Sequence, residues 1–244
     1  MDALTISAAS GMRARMESLE MLANNLANVA TGGYKADREF YSLYASPEAQ
    51  DGTLSPAETL PVIERQWTDF SAGTLRSTGD PLNVALSGSG FFAVEGPSGP
   101  LYTRNGSLHL AADGTLTSAG GYPVRNAGGG TLRLNPSVPI VIDTDGTIRQ
   151  QGQAVGRMEV VAFPDSSALG KQGSTYFRAA AGATPAAGTA EVLQGSLEES
   201  NVGAPQAAVR LVALMRQFEM LQKAVTLGGE MNRRAVEEVA RPGS

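Results

Sequence analysis

Residues 211–225, LVALMRQFEMLQKAV, carry the most regular apolar pattern of this chain. Its apolar side chains recur at alternating steps of three and four, as in the a/d seam of a coiled coil: Leu211, Leu214, Phe218, Leu221 and Val225. The spacing predicts a helix over 202–239, with Ser200 or Asn201 as N-cap and Pro205 in the first turns, where proline is least costly. Such a helix is roughly 55 Å long. A narrow apolar stripe needs a second surface to pack against.

The most similar pattern lies at the other end of the chain. Apolar residues recur there at helical spacing: Ala8, Met12, Met16, Leu19, Ala23, Leu26 and Ala30. They predict an amphipathic helix of about 25 residues, which ends where residues 31–33, Thr-Gly-Gly, offer left-handed conformations for a C-cap. We expect the two helices to pair in a coiled-coil-like layer, because each stripe must be covered. The periodicity alone also allows an ordinary surface helix of a globular domain.

The composition excludes several classes of protein. The 244 residues suffice for one core or two modest domains, and a net charge of −5 without a basic block argues against nucleic acid and anionic membranes as partners. No apolar run reaches the about 18 residues of a membrane span. The early acid Asp2 and the lack of an apolar segment after it predict no secretory signal peptide. Without cysteine there are no disulfides and no thiolate metal sites.

The middle of the chain is punctuated by turn signals. Residues 1–35 hold the first helix, 36–76 predict an extended connector, and 77–180 alternate short apolar runs with Gly and Asn/Asp turns. This alternation predicts a central antiparallel all-β domain, a barrel or a sandwich, within an overall α+β fold. The predicted strands are 82–86, 91–95, 101–104, 108–111, 131–134, 139–142, 147–150 and 157–163. Residues 181–199 predict a return segment, flexible over 179–190, before the last helix in 200–244.

Three short motifs could be mistaken for chemistry. Residues 88–93 match the G-x-G-x-x-A dinucleotide pattern, but the Gly/Pro-rich stretch 95–100 prevents the helix which that pattern requires. Residues 143–146 resemble the start of a calcium loop, yet its twelfth position is Ala154 instead of glutamate, so we predict a β-turn. The single histidine, His109, is expected to be an exposed polar residue. We therefore predict no catalytic, cofactor or metal site, and no enzyme.

Blocks of sequence along the chain resemble the axial proteins of the bacterial flagellum, the rod and hook family. Residues 24–35 (NNLANVATGGYK) are similar to the family's helix end and following Thr-x-Gly-aromatic-Lys turn. Residues 78–94 (TGDPLNVALSGSGFFAV) and 102–124 (YTRNGSLHLAADGTLTSAGGYPV) resemble its central blocks, and 194–202 (QGSLEESNV) resembles the segment before its last helix. The blocks follow the family's order, and the resemblance covers essentially the whole chain.

Within the last helix the chain looks most like the proximal-rod members of this family. Residues 216–220 (RQFEM) and Lys223 carry that similarity, whereas distal-rod and hook members have another pattern there. The chain departs from the family at Gly32, where a second threonine is common, and in 204–208, which lack an acidic residue. Residues 228–229, Gly-Gly, cost roughly 1 kcal/mol each in a helix. We therefore expect the last turns to be bent, or ordered only in the assembly.

The resemblance implies a structural subunit of the flagellar basal-body rod that spans the periplasm. Subunits related by a rotation that does not close would build a helical tube, which transmits torque and encloses the export channel. The implied partners are other proximal and distal rod subunits, the flagellar type III export apparatus and a rod-cap muramidase, without nucleic acid or membrane insertion. A distal-rod or hook subunit is the nearest alternative. A carbohydrate-binding module on the β domain is another.

The candidate site residues are contacts between subunits. The first helix contributes apolar seam contacts, the last helix contributes a second set, and polar residues at the helix ends contribute hydrogen bonds. They are Met12, Leu19, Leu22 and Leu26; Leu211, Leu214, Phe218, Leu221 and Val225; and Asn25, Asn28, Ser200 and Asn201.

Overall fold

The computed structural model describes residues 3–45 and 59–239, and these form two units. The helical unit comprises the described parts of residues 1–27, 37–67 and 203–244. The β unit comprises residues 28–36 and 68–202. The fold is thus α+β, as the sequence predicts, with strands that pair antiparallel throughout the described sheets of the β unit.

The helical unit is built from both ends of the chain and from part of the predicted connector. Its elements are α1 (Ala3–Ala27), β1 (Asp37–Ala45), β2 (Thr59–Thr68) and α2 (Ala204–Val239). The two helices pack against each other, α1 also contacts β1, and β1 pairs with β2. Helix α2 runs on through Gly228 and Gly229, so these two glycines do not end it.

The face that α1 buries differs from the predicted stripe. Among residues 9–27 its buried residues recur at steps of three and four, and all but Leu22 are small or polar: Gly11, Ala14, Ser18, Leu22 and Asn25. Met16, which the apolar periodicity assigns to the stripe, is half exposed. Small side chains let another backbone approach closely, and the Ser18 hydroxyl is satisfied by donating to the Ala14 carbonyl at 2.9 Å. Close packing, rather than hydrophobicity, therefore chooses this face.

The β unit consists of short strands. They are β3 (Leu75–Ser77), β4 (Val84–Ser87), β5 (Phe91–Gly96), β6 (Gly99–Thr103), β7 (Leu108–Leu110), β8 (Leu116–Ser118), β9 (Ile140–Ile142), β10 (Thr147–Gln150), β11 (Gln153–Arg157), β12 (Val160–Ala162), β13 (Leu169–Gln172), β14 (Tyr176–Ala179), β15 (Ala186–Ala187), β16 (Glu191–Gln194) and β17 (Ser196–Glu198). The largest sheet has the order β13-β14-β6-β5-β12-β15, and a second has the order β11-β10-β9. The remaining strands pair as β16-β4, β17-β3 and β7-β8.

Strand β5 separates two hydrophobic clusters. Phe92 and Val94 point into the larger cluster, which also contains Leu101, Leu116 and Ile148. The alternate residues of the strand, Phe91 and Ala93, belong to the smaller one, together with Tyr102, Val161, Leu169 and Phe177. Because successive side chains of a strand point to opposite faces, a strand buried on both faces reads as a continuous apolar run. This explains the sequence FFAV at residues 91–94.

The return segment is more ordered than the sequence predicts. The predicted flexible stretch 179–190 contains β15, which pairs with β12, and β16 and β17 then pair with β4 and β3. Alanine and glycine have weak strand propensity, so the pairing comes from distant backbone partners that local sequence does not reveal. Conversely, the predicted strand 131–134 forms only isolated bridges, which involve Thr131 and Arg133.

The three motifs that resemble chemical sites are structural features. Residues 88–93 lead into β5 and not into a helix. Residues 143–146 form the predicted β-turn, in which the Gly146 amide donates to the Asp143 carbonyl at 2.9 Å. His109 is exposed, as predicted. Within 3–45 and 59–239 no group of three metal-binding side chains converges, and neither helix is long and apolar enough to cross a bilayer.

Candidate assembly surface

The predicted seam of α2 faces inward. Ala207 and Leu214 are buried, whereas the remaining seam residues are half-buried: Leu211, Phe218, Leu221 and Val225. Positions 207, 211, 214, 218, 221 and 225 follow the 4-3-4-3-4 spacing of a heptad seam. Because α1 packs against α2, this seam lies within the helical unit of a single chain. A role for the same side chains between subunits stays a prediction.

The predicted contacts from α1 lie at and beside its buried face. Leu22 is buried, and Met12, Leu19 and Leu26 are half-buried along one flank. A half-buried apolar side chain can contact its own unit and still offer area to a neighbour. Whether these four residues contact another subunit stays a prediction.

A second apolar stripe, here called the outer stripe, runs along α2. Its residues are Val209, Val212, Met220, Leu227 and Met231, and each is more than half exposed. At 100° per residue the outer stripe lies roughly 150° around the helix from the seam. Sequence inspection missed it, because the more regular heptad seam accounts for the obvious periodicity. The signal was present in residues 209, 220, 227 and 231, whose steps of 11, 7 and 4 fit one helix face.

The asparagines at the end of α1 bond within the chain. Asn25 holds the start of β1: its Nδ2 donates to the Asp37 carbonyl at 2.8 Å, and its Oδ1 accepts from the Asp37 amide at 2.9 Å. Asn28 accepts a hydrogen bond from the Thr31 hydroxyl at 3.3 Å. Asn25 thus joins the end of α1 to the strand that follows it. An additional role between subunits stays a prediction.

The predicted N-cap of α2 is wrong. The helix begins at Ala204, and its first amide bond runs from Ala207 to the Gly203 carbonyl at 2.9 Å. Ser200 instead accepts from the Val202 amide at 3.2 Å. Asn201 is occupied elsewhere, because its Oδ1 accepts from the Ala36 amide and its Nδ2 donates to backbone carbonyls of residues 69 and 71. Their role between subunits is untested and stays a prediction.

A buried ion cluster lies in the β unit, formed by Lys35, Arg104 and Glu198. One Glu198 oxygen accepts from Lys35 Nζ at 2.5 Å, and the other accepts from Arg104 Nη1 at 3.1 Å. The three side chains are almost completely buried. Each belongs to a different block of the sequence that resembles the rod and hook family. Sequence inspection did not bring them together, because they are up to 163 residues apart.

Backbone groups also form hydrogen bonds with this cluster, although the buried Arg104 Nε has no hydrogen-bond partner among the described residues. Glu198 also accepts from the Gly73 amide at 3.0 Å, and Lys35 Nζ donates to the Ser71 carbonyl at 2.7 Å. The Arg104 guanidinium donates to the carbonyls of Leu86 and Gly88, at 3.3 and 2.7 Å. One carboxylate therefore serves two cations and an amide, and the cluster carries one excess positive charge.

Of the two cations in the cluster, Lys35 is the one that can lose its proton. Loss of hydration on burial lowers the pKa of the Lys35 ammonium from its ordinary value of 10.5 and outweighs the Glu198 carboxylate, which raises it, while the nearby Arg104 charge lowers it further. Burial also lowers the pKa of Arg104, but a guanidinium keeps its proton in proteins. If Lys35 lost its proton, a balanced pair of one cation and one anion would remain.

We expect the free energy of unfolding of the β unit to rise with pH in the range between the folded-state pKa of Lys35 and 10.5. In this range the unfolded chain binds the proton more tightly, so unfolding takes up a proton and a higher pH opposes it. Lys35→Met removes this contribution. Urea midpoints of both proteins across alkaline pH measure it, and a difference that stays constant with pH would contradict it.

Substitution of Gly33 tests how closely the segment after α1 packs against the backbone near Asn105. The predicted C-cap at 31–33 is wrong, because α1 already ends at Ala27, but Gly33 does adopt a left-handed φ of 67°. A Cβ there would stand 2.3 Å from the amide nitrogen of Asn105. Gly33→Ala should therefore destabilise the β unit by at least ~2 kcal/mol more than Gly79→Ala, whose φ is also positive but whose surroundings are open. Urea unfolding measures both variants, and equal losses would refute the packing argument.

Both family models and individual proteins of known family are similar to this chain. Residues 85–154 match the family model "Flagellar hook protein FlgE/F/G D1 domain", 193–238 match "Flagellar basal body rod FlgEFG protein C-terminal", and 7–35 match "Flagella basal body rod protein". The chain is 31% identical to the flagellar basal-body rod protein FlgF of Caulobacter vibrioides over 243 residues, which are 98% of each chain. It is 30% identical to FlgG of Bacillus subtilis, over 92% of this chain and 94% of that relative. FlgF of Rhizobium meliloti is 31% identical, over 91% and 96%.

Proposed function

The chain belongs to the flagellar basal-body rod protein family and is a structural subunit of that rod. We propose that it polymerises through the outer stripe of α2. The observation that carries the proposal is the double-sided character of α2. Its seam faces inward within the helical unit, whereas its outer stripe is exposed in the part of the chain that the structure describes. A row of exposed apolar side chains opposite a buried seam offers a second contact surface, and here Arg216 and Lys223 lie on that same face.

The energetics favour a neighbouring subunit as the cover. Full burial of a Met, Leu or Val side chain contributes about 1.5–3 kcal/mol, so five such residues offset the cost of ordering several side chains. We propose that the outer stripe of one subunit meets a different surface of the next subunit. Such a heterologous contact repeats indefinitely when its rotation does not close, and it builds a helical tube.

We place the subunit in the proximal rod. The support is the similarity of residues 216–220 and Lys223 to proximal-rod members of the family. The relatives include both FlgF and FlgG proteins at nearly equal identity, so overall identity does not distinguish the positions. A distal-rod position is the competing assignment.

Rod subunits are its partners and the basal body of the flagellum is its location. We propose that the tube spans the periplasm, transmits torque, and encloses the export channel with the helices in its wall. The type III export apparatus and the rod-cap muramidase are proposed as further partners. These proposals rest on the family resemblance alone.

The absence of cysteine allows a direct test of the outer stripe and of its neighbours. Met220→Cys carries a thiol-reactive photo-cross-linker on the outer stripe, and Met215→Cys is the matched control on another exposed part of α2. In isolated basal bodies we expect Met220→Cys to capture rod subunits and Met215→Cys to capture few. Mass spectrometry of the products identifies the neighbours and so the position along the rod. Capture only from Met215→Cys would place the contact on another face.

A further inference from the structure

The chain passes between its two units four times, after residues 27, 36, 67 and 202. On the β-unit side these passages lie in three stretches, here called the anchor segments: residues 28–36, 68–74 and 195–202. All three belong to the β unit. Their arrangement therefore sets the points at which the chain leaves the β unit for the helical unit.

The anchor segments are joined pairwise by backbone hydrogen bonds. Segment 28–36 bonds to 195–202 and to 68–74, and the last two also bond to each other. The bonds run from the Gly33 amide to the Glu198 carbonyl at 2.7 Å, from the Asp69 amide to the Ala36 carbonyl at 2.8 Å, and from the Glu199 amide to the Thr74 carbonyl at 2.8 Å. Asn201 adds side-chain bonds to both other segments.

The short strand pairing between β17, in the third anchor segment, and β3, directly after the second, does not define its own register. Strands β3 and β17 pair over only three residues, with Glu198 opposite Leu75. All three residues of β3 are exposed. A strand without a buried face can slip along its partner, because a shifted pairing buries no different set of side chains.

The buried ion cluster supplies what this short pairing lacks. Glu198 is the last residue of β17, and its carboxylate meets Lys35 from one anchor segment and the Gly73 amide from another. Any slip of β17 would leave buried charges unpaired. Breaking a buried ion pair is strongly destabilising, although replacing the whole pair by apolar residues is often neutral. The cluster thus penalises wrong registers more than it stabilises the right one.

We propose that Lys35, Arg104 and Glu198 form a register lock that holds the three anchor segments in one arrangement in the free subunit. The lock needs no partner protein, because all its groups lie within the β unit. The lock thereby fixes, within the β unit, the residues from which the chain continues to α1 and α2.

The decisive variant replaces all three charges at once: Lys35→Met, Arg104→Met and Glu198→Leu. We expect its unfolding midpoint to stay near that of the wild type, because no charge is left unpaired. The amides of Gly33 and Glu199 should nevertheless exchange with solvent about ten-fold faster, since the register is no longer fixed. The single variant Glu198→Leu should unfold at a lower denaturant concentration than the wild type.

Two further variants keep the test conclusive. Lys35→Met alone leaves the balanced Arg104–Glu198 pair, so it should fold and show faster exchange at Gly33. The matched control is the exposed ion pair between Arg76 and Glu199, whose removal by Arg76→Gln should change neither exchange nor stability. The proposal is overturned if the triple variant exchanges at wild-type rates, if it does not fold, or if Lys35→Met leaves exchange at Gly33 unchanged.

Discussion

Replacing Met220 and Leu227 together by glutamate is expected to abolish incorporation into the rod, and motility with it, while the free subunit keeps its helix content. Both side chains are exposed in the free subunit, so their substitution changes its stability by no more than about 0.5 kcal/mol each. Glutamate is also a good helix former. In the assembly the same positions would force two charges into an apolar contact, which costs several kcal/mol for each subunit.

Swimming assays in a strain that lacks the native subunit measure the effect, and purified basal bodies show whether the rod forms. Circular dichroism of the free variant verifies that α2 persists. Met215→Glu is the matched control: it lies on the same helix and is half exposed, but it is outside the outer stripe. We expect this control to swim normally. If the double variant swims as well as the control, the outer stripe is not an assembly surface.

Leu214→Glu should fail for a different reason, because it breaks the pairing of the helices within the free subunit. Leu214 is buried in the seam, so glutamate there buries an unpaired charge at a cost of several kcal/mol. Isolated helices depend on packing for most of their stability. The far-UV helical signal should therefore decrease strongly.

The β unit should be unaffected by Leu214→Glu, because its hydrophobic clusters contain no residue of α2. Calorimetry should show its unfolding transition at the wild-type temperature while the contribution of the helical unit is lost. Met215→Glu again serves as the control, one residue away and half exposed. Retention of full helix content by Leu214→Glu would mean that the seam does not hold the two helices together.

The two experiments separate the two faces of α2. Both Leu214→Glu and the Met220/Leu227 double variant should prevent motility, but only the first should alter the free subunit. This separation matters because the seam residues are buried or half-buried within one chain, while their predicted contact with other subunits stays a prediction. If the seam were instead exchanged between subunits, Leu214→Glu would leave the free subunit intact.

Elements that depend on local interactions could be predicted from the residue pattern alone. The 3-4 spacing of residues 211–225 determined α2 and its inward face, because helical geometry places these positions on one side. The Gly and Asn/Asp turns determined an antiparallel β unit. The blocks that resemble the rod and hook family determined the identity, which the relatives confirm.

Features that depend on contacts between distant parts of the chain emerged only in the folded structure. It chose the small residues of α1, such as Gly11 and Ala14, as the buried face, because close packing rewards shape as well as hydrophobicity. It also ordered the return segment, where β16 and β17 pair with strands more than 100 residues earlier. It also joined Lys35, Arg104 and Glu198, whose charges can be buried only where all three meet. Local periodicity does not reveal such long-range contacts, because they contribute free energy only once the chain has folded.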